Sequence, residues 1–265
     1  MSDVLALCYH AVSERWPADF AVTPEELERQ LQDVVDRGYR GVTFTEAVTQ
    51  PSPGRVVAVT FDDAFRSVLE LARPTLDRLG LPATMFAPTA FVGTERPMAW
   101  PGIDDWLNSP YSSELVPLSW DELRELSAAG WEIGSHTRTH PRLTQLDDAE
   151  LERELRDSKE ECERQLGRPC TSIAYPFGDV DDRVVGATAR AGYRAGAALE
   201  IRGTQTLAWP RLSVTREDSI DRFRRQTSPI VRRLRSSRLG PAADRAYATL
   251  IQQLRRATQG SITRK

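Results

Sequence analysis

Residues 56–65, VVAVTFDDAF, run from an apolar stretch directly into two adjacent carboxylates, Asp62 and Asp63. The residues 56–61 are β-branched, small or aromatic, which predicts a buried strand. Burying two neighbouring like charges is unfavourable unless another group neutralises them. The acids therefore either begin the next helix, where carboxylates are favoured, or belong to a site at the end of the strand.

The rest of the chain alternates strand-like and helix-like segments. The strand-like segments are residues 4–10, 83–89, 131–135, 171–176 and 194–198, and the helix-like ones are 23–38, 65–80 (interrupted by Pro74), 119–130, 147–167 and 183–193. Repeated strand–helix units with apolar strands predict a parallel sheet covered by helices. Because the chain has 265 residues and an α/β barrel needs roughly 250, we predict one closed or partly closed (β/α) barrel. No glycine-rich phosphate-binding fingerprint follows a strand, which argues against a nucleotide-binding sheet.

Charge divides the chain into two parts. Residues 222–265 carry twelve Arg or Lys against one acid, whereas the chain as a whole has a net charge of −3. We therefore expect a barrel over residues 1–221 and a basic, helical C-terminal extension over 222–265. The extension either packs on the acidic barrel or contacts lipid head groups or a lipid-linked sugar at a membrane surface. Phe223 and Tyr247 are its only aromatic residues, so we expect no nucleic-acid binding.

The N-terminus and the cysteines bear on the compartment. Cys8, Cys162 and Cys170 are an odd and sparse set, which argues against a disulfide-stabilised secreted fold. The first ten residues have neither a basic segment nor a long apolar one, and no apolar run approaches the ~20 residues of a membrane span. We expect a cytoplasmic protein, with membrane association through the basic extension as the alternative.

All three histidines lie at the ends of predicted strands or after them, as the two acids do. The carboxyl ends of parallel strands gather at one face of the sheet, where active sites form. His136 and His140 have the H-x3-H spacing that places two imidazoles on one face of a helical turn. Two histidines and a carboxylate make a metal site with open positions, although the pair could also be surface histidines in a loop. His10, taken alone, reads as an ordinary histidine at a strand end.

Three motifs in this order resemble one family. TFDDA (60–64), SHTRTH (135–140) and AYPFG (174–178) resemble the polysaccharide deacetylases of carbohydrate esterase family 4, which have the NodB-homology fold, over roughly residues 3–215. The resemblance implies a distorted (β/α)7 barrel and one divalent metal ion, usually zinc. It also implies that Asp62 is the general base, that Asp63, His136 and His140 are the metal ligands, and that the Phe177 N–H stabilises the oxyanion.

The chain departs from the family pattern in several places. Ala64 replaces a glycine, and Ala174 stands where an arginine normally orients the base, for which Arg211 is a candidate substitute. No histidine follows His140 to act as general acid. The opening LCYHAV (7–12) is similar to the poly-N-acetylglucosamine deacetylase branch, where the motif order is circularly shifted, which makes His10 the acid. We expect Tyr175, Trp209 and Arg211 to contact substrate.

The resemblance implies a hydrolase that removes the N-acetyl group from an amino-sugar of a glycan, glycolipid or sugar precursor. The products would be acetate and a free amine. Two alternatives stay open at this point. One is an amidohydrolase acting on a small non-sugar amide or cyclic imide, and the other is a catalytically silent barrel that only binds glycan.

Overall fold

The computed structural model describes residues 3–50, 53–199 and 205–236. The strands are β1 Asp3–Tyr9, β2 Ala11–Val12, β3 Ala21–Val22, β4 Arg40–Gly41, β5 Arg55–Phe61, β6 Ala83–Ala87, β7 Glu132–Ser135, β8 Ser172–Ala174, β9 Ala195–Ala198, β10 Trp209–Pro210 and β11 Leu212–Ser213. The α-helices are α1 Pro24–Asp36, α2 Phe44–Thr49, α3 Arg73–Leu79, α4 Trp120–Ala128, α5 Asp148–Leu166, α6 Asp182–Arg190, α7 Ile220–Gln226 and α8 Pro229–Ser236.

The principal strands form a parallel sheet that is nearly closed into a barrel. Its order is β10, β9, β8, β7, β6, β5, β1, β11, and the short β4 pairs with the beginning of β5. The ends of this order come from one segment of chain, because β10 pairs with β9 and β11 pairs with β1. Residues 209–213, which we call the closing segment, therefore serve as the seventh strand of the barrel. This confirms the predicted (β/α)7 barrel.

The register between β1 and β5 brings the first two motifs together. The two strands pair along their whole length, from Asp3 opposite Arg55 to Tyr9 opposite Phe61. The residues that follow each strand, His10 and Asp62, consequently leave the sheet side by side. Side chains alternate between the two faces of a strand, so one set faces the barrel interior and the other faces the helices.

The interior below the site is narrow and filled with small side chains around two phenylalanines. This buried cluster contains Ala6, Val42, Phe44, Ala47, Val56, Ala58, Phe86, Ala174, Ala195 and Ala197. The opposite faces of β1 and β5 pack against the helices; their side chains include Leu5, Leu7, Val57 and Val59. The barrel is thus a filled core, and its carboxyl end is where polar groups can gather.

Several local predictions are confirmed. Thr23 caps α1 by accepting the Glu26 N–H, and Ser119 and Glu122 form the predicted capping box of α4. Pro74 interrupts its helix as expected. A π-helical turn over Val68–Ala72 precedes α3, in which Pro74 occupies the first turn. A proline has no N–H to donate, so it fits a helix start better than a helix interior.

The described part of the C-terminal extension packs on the barrel. The expected boundary after residue 221 falls inside α7, and Phe223 is fully buried in the core next to the sheet. Arg224 pairs with Asp33 at 2.7 Å, Arg222 pairs with Asp218 at 2.8 Å, and Arg232 pairs with Asp3. These arginines are used within the chain and give no support to membrane contact. Residues 237–265 of the extension lie outside the described residues.

No helix among the described residues combines the length and the apolar character that crossing a bilayer requires.

A substitution at Gly196 tests how closely the chain just before β10 packs against β9. A Cβ at this position would collide with the Leu207 carbonyl oxygen and lie 2.5 Å from the Tyr175 hydroxyl, so Gly196→Ala should lower the free energy of unfolding by about 1–3 kcal/mol. Gly186, in α6, meets nothing closer than 3.5 Å, and Gly186→Ala should raise stability by up to ~1 kcal/mol. Urea unfolding measures both. Equal stabilities of the two variants would contradict the close packing of Leu207 and Tyr175 against Gly196 in β9.

Candidate metal centre and active site

One carboxylate and two imidazoles converge at the mouth of the barrel. Oδ1 of Asp63 lies 3.3 Å from Nε2 of His136 and 3.3 Å from Nε2 of His140. The side chains are 6, 2 and 5% exposed, respectively. The structure therefore brings together the three residues that the sequence suggested as ligands.

The two histidines lie in a loop, and the predicted helical turn is wrong. Residues 136–140 are not helical, and Thr137 and His140 both have positive φ values, 64° and 60°. Hydroxyl groups hold this loop, because Ser135 accepts the Thr137 N–H and Thr137 accepts the His140 N–H. Such side-chain bonds compete with helix formation for the same backbone groups. The imidazoles meet through loop geometry and not through helical spacing.

The two imidazoles are oriented by different means. His136 Nδ1 is 2.9 Å from the Ala174 carbonyl oxygen, which fixes the proton on Nδ1 and leaves Nε2 free to bind, as is usual for metal-ligating histidines. His140 Nδ1 is buried and has no hydrogen-bond partner among the described residues. The His140 ring instead stacks on Trp100, with centroids 4.1 Å apart and planes 22° apart. Sequence reasoning missed Trp100, since it lies in an irregular stretch with no periodic pattern.

Burial and charge act against each other on these groups. Burial raises the pKa of Asp63, but its contacts with His136 and His140 lower the pKa more, to a value well below the usual range. Burial lowers the pKa of His136, and the charges of Asp62 and Asp63 more than offset this and raise it. For His140, burial outweighs the Asp63 contact, and its pKa is lowered.

The residues present fit a divalent cation. Candidate ligand atoms of Asp63, His136 and His140 lie within 4.8 Å of one another, and two imidazole nitrogens with one carboxylate suit zinc and related ions. Asp63 Oδ1 is buried and has no hydrogen-bond partner among the residues that the structure describes, which is unfavourable for a carboxylate unless a cation or proton is nearby. A helix-capping role does not account for this placement, since Asp63 faces the two histidines.

Asp62 occupies a different environment, although it is the next residue. Arg211 makes two hydrogen bonds to it, one guanidinium nitrogen to each carboxylate oxygen, both 2.7 Å long. Arg211 also donates to Thr60 Oγ1 at 2.8 Å and lies over the Phe86 ring. Burial raises the pKa of Asp62, but Arg211 lowers it more, to about 2. Asp62 is consequently ionised at neutral pH, and its charge is balanced within the protein.

Arg211 reaches Asp62 from the closing segment. Ala174 faces the interior where the family pattern has its arginine, and it belongs to the small-residue cluster below the site. Arg211 lies between β10 and β11, at the point where the barrel closes. The structure thus places an arginine against the carboxylate from another strand, as hypothesised from the sequence.

Backbone strain is concentrated in the three motifs. The non-glycine residues with positive φ in the described parts of the chain are Asp63, Ala64, Thr137, His140 and Phe177. Each conformation of this kind costs of order 1–3 kcal/mol, and such residues cluster at functional sites. At Asp63 the backbone leaves the extended conformation of β5, which separates its direction from that of Asp62. Ala64, where glycine would be unstrained, also adopts it with φ of 54°.

His10 and Cys8 also lie close to Asp62. Candidate ligand atoms of Cys8, His10 and Asp62 are within 4.8 Å of one another, and the Cys8 thiol donates to Asp62 Oδ2 at 3.4 Å. His10 is partly exposed and its ring lies 5.9 Å from that of Phe20. Sequence reasoning missed the Cys8 contact, although Cys8 and His10 are two residues apart in the predicted strand 4–10 and such residues share a face.

Three predicted residues remain: Phe177, Tyr175 and Trp209. Phe177 is at the site, with its ring centroid 4.8 Å from that of His140. Tyr175 is 1% exposed and donates its hydroxyl to the Leu207 carbonyl at 2.6 Å, on the helix side of the sheet; its side chain offers no surface to a substrate. Trp209 packs against the small-residue interior below the site. The structure does not bring either aromatic side chain to the Asp63 cluster.

A family model described as polysaccharide deacetylase matches residues 49–196, which contain all three motifs. The chain belongs to the polysaccharide deacetylase family. It is the same family that the three motifs resemble, and its members have the NodB-homology barrel.

Similar proteins agree with this family. The chain is 27% identical over 200 residues to the putative polysaccharide deacetylase YxkH of Bacillus subtilis, an alignment that covers 73% of this chain and 63% of that protein. It is 24% identical over 226 residues to a poly-β-1,6-N-acetyl-D-glucosamine N-deacetylase of Staphylococcus aureus, covering 75% and 73% of the two chains.

A solved structure supports the fold. The Streptococcus pyogenes deacetylase PplD, in complex with acetate, superposes with a TM-score of 0.70 at 24% identity, covering 85% of this chain and 98% of that one. At this level of identity the likeness shows the shared barrel and nothing more specific.

A double-mutant cycle tests the Arg211–Asp62 pair. Arg211→Met leaves a buried, unpaired carboxylate and should lower the free energy of unfolding by about 3–5 kcal/mol. Arg211→Met combined with Asp62→Asn should lose less than the sum of the two single variants, with a coupling of at least ~1 kcal/mol. Urea unfolding in the presence of a chelator gives the four stabilities. Strict additivity would show that the two side chains do not interact.

Proposed function

We propose that the protein is a metal-dependent hydrolase that removes the N-acetyl group from an amino-sugar unit of a glycan. One observation carries the proposal: two adjacent carboxylates have separate surroundings. Asp62 is neutralised by Arg211, whereas Asp63 faces two imidazoles. Adjacent acids with different partners can take different tasks, one in binding a cation and one in moving a proton.

Asp63, His136 and His140 would hold the cation, and zinc suits this donor set best. When bound, a divalent cation acidifies water and polarises an amide carbonyl. The lowered pKa of His140 favours the neutral ring that ligation requires. The hydrogen bond from His136 to the Ala174 carbonyl leaves Nε2 available for the same purpose.

Asp62 would accept the proton of the attacking water. Its pKa of about 2 keeps it ionised at neutral pH, and the two bonds to Arg211 fix the plane of the carboxylate. His10 lies beside Asp62 at the end of the neighbouring strand, and it would donate a proton to the departing nitrogen. A base and an acid on adjacent strands serve both halves of amide hydrolysis.

The Phe177 N–H would stabilise the oxyanion. Phe177 has φ of 60°, and its ring contacts His140. Pro176 has no N–H, so the donor in this turn comes from the residue after it. Donors fixed in advance at the position of developing charge stabilise the transition state most effectively.

The relatives suggest the kind of substrate. The name of the Staphylococcus aureus protein states that it deacetylates poly-β-1,6-N-acetyl-D-glucosamine. We infer that this chain acts on N-acetylhexosamine units as well, and we assign the substrate no linkage or length. The paired Arg211 and Asp62 speak against the silent, glycan-binding alternative, because a binding module has no need for an oriented base beside a metal-binding set.

Acetate release tests the activity. The zinc-loaded protein should release acetate from β-1,6- or β-1,4-linked N-acetylglucosamine oligomers, with a matching yield of free amine. N-acetylglucosamine monomer and a cyclic imide such as succinimide serve as comparison substrates. Hydrolysis of the imide without acetate release from any sugar would favour the amidohydrolase alternative. If the metal-loaded protein hydrolysed neither the sugars nor the imide, the result would favour the catalytically silent, glycan-binding barrel.

The three histidines give a matched set for metal binding. His136→Ala and His140→Ala should each lower the zinc content from about one ion per chain to near zero, because each removes one of three protein ligands. His10→Ala, the same substitution beside the same pocket, should keep its zinc. Elemental analysis after dialysis measures all three variants. Unchanged zinc in the His136 and His140 variants would rule out this ligand set.

The proton-transfer roles are tested separately from metal binding. Asp62→Asn and His10→Ala should each lower kcat by about 10²–10⁴, the usual contribution of general acid–base catalysis. Both variants should retain zinc. Asp105→Asn, an exposed residue, controls for loss of an acid and should leave kcat unchanged. Full activity of His10→Ala would exclude His10 as the proton donor.

A further inference from the structure

We propose that Trp100 is a positioning residue that holds His140 in the orientation needed for metal binding. The proposal rests on the metal site described under the proposed function. Trp100 comes from the irregular segment between β6 and α4, far in sequence from His140, and its ring lies flat against the imidazole with centroids 4.1 Å apart. Both side chains are buried, with exposures of 7 and 5%.

The two histidines of the site need to be held in one orientation, and within the described parts of the chain only His136 has a hydrogen-bond partner at Nδ1. His136 has the Ala174 carbonyl behind its Nδ1, at 2.9 Å. His140 Nδ1 is buried with no such partner among the described residues. Metal-ligating histidines almost always have a partner at the second ring nitrogen, and losing it typically weakens metal affinity 10–100-fold. At His140 a different restraint is therefore required.

Ring packing supplies that restraint. His140 is in contact with three rings: Trp100 is stacked on it, while Phe177 and His136 meet it at 68° and 73°. The stacked ring is the one that fixes the plane of the imidazole, because a rotation about χ2 would drive the imidazole edge into the indole face. Edge-on neighbours restrict that rotation less. The plane of the ring decides where Nε2 points, and Nε2 is the atom 3.3 Å from Asp63.

Trp100 is itself held in place, through both its ring and its backbone. Phe91 packs edge-on against it with centroids 5.2 Å apart, and the Trp100 carbonyl accepts the N–H groups of Ile103 and Asp104 at 3.1 and 3.2 Å. Phe177, on another side of His140, is covered by the guanidinium of Arg142 at 4.3 Å. The imidazole thus lies between side chains that are held from outside, which limits its motion without any bond to its Nδ1.

The test measures metal affinity and not activity. Trp100→Leu should weaken zinc binding by about 10-fold or more, as removal of the usual histidine partner does, while Trp100→Phe, which keeps a ring against His140, should stay within threefold of the wild type. Competition with a chromophoric chelator gives the dissociation constants. Trp106→Leu is the matched control, since Trp106 lies in the same segment and contacts Trp16 and Tyr111; it should bind zinc as the wild type does.

A spectroscopic measurement checks the orientation itself. With cobalt in place of zinc, the visible absorption bands of Trp100→Leu should differ from those of the wild type, whereas those of Trp100→Phe should not. Should the leucine variant fail to fold, Trp100→Met fills a similar space with a flexible chain and is expected to show the same loss of affinity. Wild-type affinity and spectrum in the folded leucine or methionine variant would overturn the role of Trp100 alone. Absence of metal binding by the wild type would overturn the proposed metal site as well.

Discussion

The ion pair between Arg211 and Asp62 is the interaction on which the rest of the site depends. A carboxylate at the bottom of a barrel mouth needs a cation nearby, and Arg211 meets it with two bonds of 2.7 Å from a side chain that is fully buried. Breaking such a pair is far more costly than its net contribution to stability. The pair therefore joins the closing segment to the first motif, because the arginine that lies where the barrel closes is the one that neutralises Asp62.

This pairing resolves the adjacency of two acids after an apolar strand. If both carboxylates shared one environment, their repulsion would raise the pKa of one of them. Here the backbone turns at Asp63, with φ of 71°, and the two side chains take different partners. Asp62 is balanced by an arginine of the chain, while Asp63 and its two histidines have the composition of a site for an external cation. The positive φ of Asp63 belongs to a class of strained conformations that cluster at functional sites, and here it separates the two carboxylates.

The sequence predicted the regular parts of the molecule well, because apolar periodicity and capping residues act locally. The principal strands and the capping box of α4 followed from such patterns. The parallel sheet predicted that acids and histidines would gather at one end of the barrel, whereas the choice of Asp63, His136 and His140 as one set came from the family resemblance. The closing segment could not be predicted in this way, since it is two short strands separated by Arg211 and contains Pro210, a residue uncommon in sheets. The loop of residues 136–140 was misjudged because hydroxyl–backbone bonds there outweigh helical spacing. The stacking of Trp100 on His140 depends on tertiary packing of an irregular segment and leaves no local trace.

The central claim is that the neighbouring aspartates are divided between an internal and an external cation. An anomalous-difference map at the zinc edge, from crystals grown with zinc, tests it most directly. The account predicts one peak within about 2.0–2.2 Å of a carboxylate oxygen of Asp63 and of both Nε2 atoms, with Arg211 still bound to Asp62 through two hydrogen bonds. A peak coordinated by Asp62, with Arg211 displaced, or no peak at the Asp63 cluster, would contradict it.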